Sequence, residues 1–315
     1  MSRYVLRRLL SAVPVVVLVA VIVFVAVQLA PGDPVLVMLG SDARPEVIES
    51  MRRDLGLDRP IHVQFLAWVG RALTGDLGRS LFLDRPVTTA IAERLEPTVL
   101  LTFGAVAVAI AIGVPAGILS AVRKGGLVDQ AFMLLALSGV SVPEFWLALN
   151  LVVVFGVDLR WFPVAGYVPI AEGGLLAALR CLVMPAFAVG FVQSALIARM
   201  TRGAMIEVLS QDYVRTARAK GVSAFGVVAK HAFRNVLVSV VTVVGLVFAL
   251  ALGGAIVVET VFNIPGIGRL LVESVLRRDY TLIQGVVLYI AVAYVLFNLL
   301  VDVLYVYIDP RVRYG

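Results

Sequence analysis

Charged residues are scarce in this sequence of 315 residues. Only 15% of the residues are charged and 61% are hydrophobic, whereas a soluble domain of this length carries roughly 25% charged residues. The apolar residues are also gathered into long uninterrupted runs, which a soluble core does not need. These two features exclude a water-facing globule and predict a protein that crosses a membrane.

Cysteine and histidine are nearly absent as well. The single Cys181 excludes an intrachain disulfide, and His62 and His231 lie far apart with no ligand spacing around them. The sequence has no Ser/His/Asp arrangement, no GxSxG, no HExxH and no GxxxxGK[ST] loop for nucleotide phosphates. We therefore expect no metal site, no cofactor in this chain and no catalysis. The energy for active transport must then come from an ion gradient or from a separate ATPase.

Apolar runs long enough to cross a bilayer occur six times. A hydrocarbon core about 30 Å thick needs roughly 20 helical residues. The runs are 9–30, 97–122, 130–157, 181–198, 235–258 and 281–301. We interpret the first as a retained helix, because it is longer than a signal-peptide core and no A-x-A cleavage site follows it. The fold class that we predict is an all-α membrane protein with six transmembrane helices.

The distribution of Lys and Arg predicts that both chain termini are cytoplasmic. Cytoplasmic loops carry an excess of these residues, and the rule counts short loops and exempts long ones. The segments on the N-terminal side of the membrane hold fourteen Lys and Arg, and the short loops on the other side hold five. The inner segments are 1–8, 121–129, 199–234 and 309–315, and the outer loops are 158–180 and 259–279. Since membrane topology accounts for the net charge of +6, we expect no nucleic-acid partner.

Segment 31–97 is a long insertion between the first two spans, and its sequence predicts folded helices outside the cytoplasm. Apolar residues share one helical face in 45–55, Pro60 suits a first helical position, and a further helix starts near Pro86. The insertion is either a cap that shields the helix ends or a docking surface for an extracytoplasmic partner.

Two acidic residues fall within the predicted spans. Asp302 can be satisfied by neighbours on its own helical face, whereas Glu144 follows Pro143, which frees a backbone carbonyl and kinks a helix. A polar group at a kink either lines a pathway or has a structural role. Three uncharged polar residues could line the same path for a zwitterionic substrate, namely Asn150, Gln193 and Ser194.

Small residues recur at helical spacing in two spans. Gly113 and Gly117 form a GxxxG pattern in the second span, and Gly245, Ala249 and Gly253 align on the fifth. Such faces let helices approach closely. We predict helix packing at both faces, either within the chain or against a second membrane subunit.

The predicted cytoplasmic loop 199–234 is long, strongly basic and too polar to enter the bilayer. Around its sequence RTARAKG, the small residues Val214, Ala217 and Gly221 share a helical face, while the basic residues project elsewhere. A short helix with a small-residue face and a basic flank suits insertion into a groove on another protein. The alternative is a solvated charge cluster that only sets the topology.

This loop and six other segments resemble the B-type permease subunit of the oligopeptide, dipeptide and nickel branch of bacterial ABC importers. In the loop, DYVRTARAKGVS followed by HAFRN resembles the branch-specific form of the EAA loop, with Ala217 and Gly221 matching the general pattern E-A-A-x3-G. The other segments, in chain order, are RRLL with LAPGDP (29–34), GDLGRS (75–80), SVPEFWL (141–147), WFPVAGY (161–167), ETVFNIPGIGRLL (259–271) and LVDVLYVYIDPRVRYG (300–315).

The resemblance covers nearly the whole chain and implies a single permease domain, 1–315, with a type I importer fold in the bacterial inner membrane. It implies a homologous C-type permease as heterodimer partner, two ATPase subunits or domains that bind ATP and Mg, and an extracytoplasmic substrate-binding protein. The helix that couples to the ATPase would be Arg215, Thr216, Ala217, Arg218, Ala219, Lys220 and Gly221. The residues that face the binding protein would be Asn263, Pro265, Gly266 and Gly268.

Di- and oligopeptides are the substrates that the resemblance implies, while nickel, heme and some glycosides are carried by close relatives of this branch. An ion-coupled carrier is the main alternative, and it would typically need more helices and more intramembrane charge. An intramembrane enzyme would need a catalytic constellation that the sequence lacks.

Overall fold

The computed structural model describes residues 2–29, 44–54, 56 and 58–308. Most of the LAPGDP motif and the last seven residues, 309–315, lie outside the described residues. The helices in chain order are α1 (Ser2–Leu29), α2 (Pro45–Asp54), α3 (Ile61–Leu73), α4 (Val87–Ala92), α5 (Leu95–Val122), α6 (Leu127–Ser141), α7 (Glu144–Leu151), α8 (Ile170–Leu209), α9 (Asp212–Ala219), α10 (Ala224–Gly226), α11 (Phe233–Val261), α12 (Ile267–Leu276) and α13 (Tyr280–Ile308). Two short strands, β1 (Arg79–Ser80) and β2 (Arg85–Pro86), pair antiparallel.

Five helical segments are long and apolar enough to cross a membrane, and they lie along α1, α5, α8, α11 and α13. Helix α6 and helix α7 with the π-helical turn Val152–Asp158 pass the same test only as a pair bent by 97°, which is either a broken sixth span or a re-entrant loop. The all-α membrane fold is confirmed, with five or six candidate spans among the described residues, and the third predicted span is interrupted near Pro143.

The break between α6 and α7 has a local cause. Pro143 has no N–H to donate to the preceding turn, and its ring pushes Val142 into an extended conformation. Val142 accordingly has ψ 121° and Pro143 has ψ 135°. The helix resumes at Glu144, so that this acidic residue occupies the first helical position after the bend.

Contacts divide the chain into two units, and the first comprises residues 1–95 and 269–296. Its aromatic cluster joins α1 to α3, since the Phe24 ring lies 5.3 Å from that of Phe65 and 5.9 Å from that of Trp68. The predicted helices of the insertion are present as α2, α3 and α4, with Pro60 immediately before α3. The insertion is therefore folded, and its helix α3 packs on the first span.

Hydrogen bonds to Asp279 hold the chain at the end of the GDLGRS segment in the first unit. The Asp279 carboxylate is buried and accepts hydrogen bonds from the Ser80 hydroxyl at 2.6 Å, the Phe82 N–H at 3.1 Å and the Leu282 N–H at 3.0 Å. The Arg277 guanidinium covers the Phe82 ring at 3.4 Å. The hairpin β1–β2 is thereby fastened to the start of α13.

The second unit comprises residues 96–268 and 297–315, and its core is built around α8. The two glycines of the GxxxG pattern lie against this helix. A Cβ atom at Gly113 would lie 2.6 Å from the Ser194 carbonyl oxygen, and one at Gly117 would lie 2.7 Å from the Thr201 Cβ. Only glycine therefore permits this approach of α5 to α8.

The small residues Gly245, Ala249 and Gly253 of the fifth span differ in how closely they pack within the chain. Gly245 is buried, and a Cβ atom there would contact Val301 of α13 at 3.4 Å. Ala249 is half-buried, whereas Gly253 is exposed and a Cβ atom there would have no described neighbour within 4 Å. One end of this stripe thus packs within the chain, and the other end leaves room for another helix.

Candidate functional site: a coupling loop and two polar clusters

Helix α9 occupies the middle of the loop that the sequence predicts to be cytoplasmic. It begins at Asp212, three residues before the predicted segment 215–221, and its last helical residue is Ala219. Lys220 follows as the C-terminal cap. The predicted helix is therefore present, but it is shifted towards the N-terminus and does not include Gly221.

Gly221 ends this helix instead of belonging to it. Its φ is +77°, in the left-handed region that glycine adopts without steric cost. The Gly221 N–H donates to the Arg218 carbonyl at 3.0 Å, and the Val222 N–H donates to the Ala217 carbonyl at 3.2 Å. This pair of hydrogen bonds is the Schellman motif, which explains why a glycine is required at this position of RTARAKG.

The small-residue face of α9 points into the chain. Val214, Ala217 and Val227 are buried together, and Leu209 and Val222 pack against them. These contacts leave the basic face of α9 for the docking that the sequence predicts, and that docking stays a prediction. A helix of eight residues is marginal in isolation, so its apolar face is needed to hold it on its own protein.

A polar tether also connects α9 to the start of α11. The Asn235 amide donates to the Tyr213 hydroxyl at 2.8 Å and to the His231 carbonyl at 2.9 Å. The Tyr213 hydroxyl in turn donates to the His231 carbonyl at 3.4 Å. Tyr213 belongs to DYVRTARAKG, and His231 and Asn235 belong to HAFRN. Sequence reasoning noted both motifs but missed the contact between them.

The opposite face of α9 is open. Arg215, Thr216, Arg218, Ala219 and Lys220 are all exposed. The one ion pair that α9 shows among the described contacts joins Arg215 to Asp212 at 3.3 Å, and so exposed a pair contributes little. Just beyond the helix, Phe225 exposes 81% of its surface. Aromatic residues and Arg are enriched in protein interfaces, so this loop has the chemistry of a docking surface.

The turn between α11 and α12 is organised by a buried carboxylate. Glu259 is fully buried and accepts a hydrogen bond from the Thr98 hydroxyl at 2.6 Å, while the same hydroxyl accepts the Ile267 N–H at 2.8 Å. A Cβ atom at Gly266 would collide with the Glu259 carboxylate, and one at Gly268 would collide with the Ile256 Cα at 2.5 Å. Glu259, the first residue of ETVFNIPGIG, therefore shapes the turn at the end of this motif.

This geometry divides the four residues that the resemblance assigns to the binding-protein surface. Asn263, whose φ is +52°, and Pro265 are exposed. Gly266 and Gly268 are buried, so they support the turn and present no surface of their own.

The outer loop 159–169 joins this turn through its WFPVAGY segment. The Gly166 N–H donates to the Phe262 carbonyl at 2.8 Å. The neighbouring Tyr167 hydroxyl donates to the Glu96 carboxylate at 2.5 Å. Burial, together with this hydrogen bond, raises the pKa of the Tyr167 hydroxyl well above its usual value. Tyr167 therefore remains a neutral donor at physiological pH.

Two of the four predicted path residues come together in the second unit. The Gln193 amide on α8 donates to the Glu144 carboxylate at 2.9 Å. Ser194 and Asn150 do not join them, because each donates to a carbonyl of its own helix: Ser194 to Phe191 at 2.6 Å, and Asn150 to Trp146 at 2.7 Å.

The second unit also contains an ion pair that the sequence did not predict. The buried Asp129 carboxylate at the start of α6 accepts two hydrogen bonds from Arg202 of α8, at 2.6 and 2.7 Å. It also accepts the Gly125 N–H at 2.8 Å and a short hydrogen bond from the Ser120 hydroxyl. This bidentate pair joins α6 to the part of α8 that leads into the loop of helix α9.

Metal-binding chemistry is not represented in the described part of the chain. Among these residues, there is no group of three or more His, Cys, Asp or Glu side chains that could hold a metal ion. Cys181 is a buried free thiol.

The broken third span, the exposed loop helix and the ordered turn together define a polytopic transport protein of the type I ABC importer fold. Residues 113–314 match the family described as "Binding-protein-dependent transport system inner membrane component", and residues 1–102 match its N-terminal companion family. The chain therefore belongs to this family of inner membrane components. It is the permease subunit of an ABC importer, and such subunits work with ATPase and binding-protein partners.

Relatives align along the entire chain. A putative peptide transport system permease protein of Brucella abortus (strain 2308) is 47% identical over 314 residues and covers 100% of both chains. The glutathione transport system permease protein GsiC of Escherichia coli O6:H1 is 44% identical over 314 residues, again with 100% coverage of both. The resemblance to ABC importer permeases that the sequence motifs indicate is confirmed.

The fold is also found among solved structures. An inward facing structure of the MetNI methionine ABC transporter matches 70% of this chain and 96% of its own chain, with a TM-score of 0.59 and 16% sequence identity. At this identity the match establishes the shared fold.

Proposed function

We propose that this permease imports di- or oligopeptides, as one half of a heterodimeric translocation path with a homologous C-type subunit. The peptide class is supported by the relatives, which are named as peptide and glutathione permeases and align over the full length. The zwitterionic character of peptides also suits the polar pair of Glu144 and Gln193.

ATP hydrolysis takes place on two partner ATPase subunits or domains in this proposal, and the permease makes no covalent bond. The observation that carries this assignment is the coupling loop, with a short helix whose basic face is exposed and whose apolar face is fixed to its own chain. The fit requires an acidic groove on the ATPase, into which Arg215 and Arg218 project. Phe225 adds an apolar contact beside them.

The attachment of α9 determines how motion is transmitted. The Val214 cluster holds the helix to the end of α8, and the Tyr213–Asn235 tether holds it to the start of α11. A displacement of α9 by the ATPase therefore acts on both spans at once. ATP binding closes the ATPase dimer and favours the outward-open state, and the loaded binding protein favours the same state, so each ligand strengthens the effect of the other. Hydrolysis resets the system inward.

The binding protein docks on the outer side in this scheme, and the turn at Asn263 and Pro265 is the surface proposed for it. The support beneath the turn is rigid, because Glu259 and Thr98 satisfy its polar groups within the chain. A rigid surface allows the docking energy to reach α11 instead of being absorbed by a flexible loop.

The test is reconstitution of the permease pair with its ATPases and binding protein in liposomes. We expect ATP-dependent uptake of labelled di- and tripeptides that stops when the ATPase or the binding protein is omitted. Import of nickel complexes or heme in place of peptides would reassign the substrate. Uptake that continues without the ATPase would establish the ion-coupled alternative.

A further inference from the structure

The side chain of Glu144 points into the helix bundle. It lies one and two helical turns before Ala148 and Leu151, which are both buried, so these three residues share the inner face of α7. The outer face of α7 carries the exposed residues Phe145, Trp146 and Leu149. Glu144 is therefore not a lipid-facing residue that could reach the membrane surface.

Residues of two other spans contact the Glu144 carboxylate. Gln193 of α8 donates its amide hydrogen bond to one carboxylate oxygen at 2.9 Å. Gly254 of α11 lies against the same group, because a Cβ atom at this glycine would collide with the carboxylate. The side chain is thus positioned from two sides, by a donor and by a gap that only glycine leaves.

The charge of this carboxylate is not balanced within the described chain. Among the described residues, Gln193 is its one hydrogen-bond donor, and no basic side chain forms an ion pair with it. Gln193 and Gly254 both lie within candidate spans. A charge at that depth is costly, and such residues are retained where they bind ions or substrates. Packing alone would be served equally well by a neutral side chain.

We propose that Glu144 is a transient binding site for the ammonium group of the substrate, with Gln193 as its positioning residue. This inference rests on the peptide import proposed above, because a linear peptide with an unmodified N-terminus carries an α-ammonium group at neutral pH. The carboxylate supplies the negative charge that a desolvated ammonium group needs on its way through the membrane. A single ion pair also holds the substrate weakly enough for release.

The test measures the ratio of the initial peptide uptake rate to the ATP hydrolysis rate in the reconstituted importer. It compares wild type with Glu144→Gln, which removes the charge at constant size, and with Glu144→Asp, which keeps it. Glu172→Gln is the matched control, since Glu172 is an exposed glutamate in the first turn of α8. We expect at least a tenfold loss of trialanine uptake in Glu144→Gln, less than a threefold loss in Glu144→Asp, and less than a twofold change in Glu172→Gln.

A second peptide identifies the source of the ammonium group. Ala-Lys-Ala carries a side-chain ammonium group in addition to the α-ammonium group of trialanine. Equal losses for both peptides assign the α-ammonium group, whereas a loss confined to Ala-Lys-Ala assigns the lysine side chain. Unchanged uptake of both peptides in Glu144→Gln, or equal losses in the Gln and Asp variants, would overturn the proposal.

Two further comparisons keep the test decisive. If Glu144→Gln does not assemble, Gln193→Leu removes the positioning donor and leaves the charge, and a loss of at least threefold for the same peptides is then expected. An unchanged rate in that variant would also overturn the proposal. Failure of the wild-type importer to take up either peptide, with import of another solute, refutes the proposed function and is thereby distinguished from failure of this site.

Discussion

Truncation of Val214 to alanine tests whether the buried face of α9 fastens this helix to its own chain. Val214 is fully buried against Ala217 and Val227, and Val214→Ala removes two methyl groups. At about 0.8 kcal/mol per buried carbon, the docked helix loses about 1.6 kcal/mol. The residual cavity raises this cost to roughly 2.5 kcal/mol. These energies correspond to a shift of roughly 15- to 70-fold in the equilibrium between docked and undocked helix.

The assay is amide hydrogen exchange of the purified permease complex. The N–H groups of Lys220, Gly221 and Val222 are hydrogen-bonded at the end of α9, so their exchange reports helix opening. We expect Val214→Ala to accelerate exchange at these amides by the same roughly 15- to 70-fold factor and to lower the amount of peptide imported per ATP hydrolysed.

A matched truncation controls for general destabilisation. Val257→Ala removes the same two methyl groups from a valine of α11 that is 46% exposed, and we expect less than a twofold change at the α9 amides. Unchanged exchange in Val214→Ala, or equal acceleration in both variants, would show that the Val214 cluster does not hold the helix.

Three further changes test other parts of the structure. Asp129→Asn removes the charge that binds Arg202 and should destabilise the complex by roughly 3 kcal/mol, which thermal unfolding in detergent would report as a lower Tm. Gly266→Ala drives a methyl group into the Glu259 carboxylate, and we expect weaker docking of the loaded binding protein in a surface-immobilised binding assay. Asp279→Ala removes the acceptor that fastens the β1–β2 hairpin, so limited proteolysis should cut the hairpin faster than in wild type.

The positions of the spans could be predicted from the sequence because bilayer thickness and helical rise are local constraints. Five of the six apolar runs became continuous helices, and Pro143 marked the place where the remaining one breaks. Helix α8 extends beyond its apolar run to 40 residues, since polar ends of a helix carry no hydropathy signal. Its Gly174, with φ +74°, interrupts the helical conformation, and a lone glycine in sequence does not reveal such a bend.

The contacts that organise the candidate sites could not be predicted, because they join residues that are distant in sequence. Thr98 and Glu259 are 161 positions apart, and Asp129 and Arg202 are 73 apart. The surroundings of the small-residue face of α9 could not be predicted for a related reason. Periodicity identifies an apolar face, but the same face can pack on a partner or on the parent chain, and only the tertiary fold decides between them.

Gly221 offers a test that separates helix termination from contact with a partner. Its φ of +77° strains any residue with a Cβ, although a Cβ atom there would have no described neighbour within 4 Å. Alanine in this conformation costs about 1–2 kcal/mol, whereas asparagine adopts it more readily. If Gly221 only ends α9, Gly221→Asn should keep most of the wild-type uptake, and Gly221→Ala should lose several-fold more.

The alternative is that a partner approaches the Gly221 backbone closely. Both variants should then lose uptake to the same extent, because either side chain would obstruct the approach. Hydrogen exchange at the Val222 amide provides the independent reading, since strain at the helix end accelerates exchange in the isolated permease and steric exclusion of a partner does not. Equal uptake losses with unaltered exchange would therefore assign Gly221 to the interface itself, and the Schellman hydrogen bonds would be insufficient to explain why a glycine stands there.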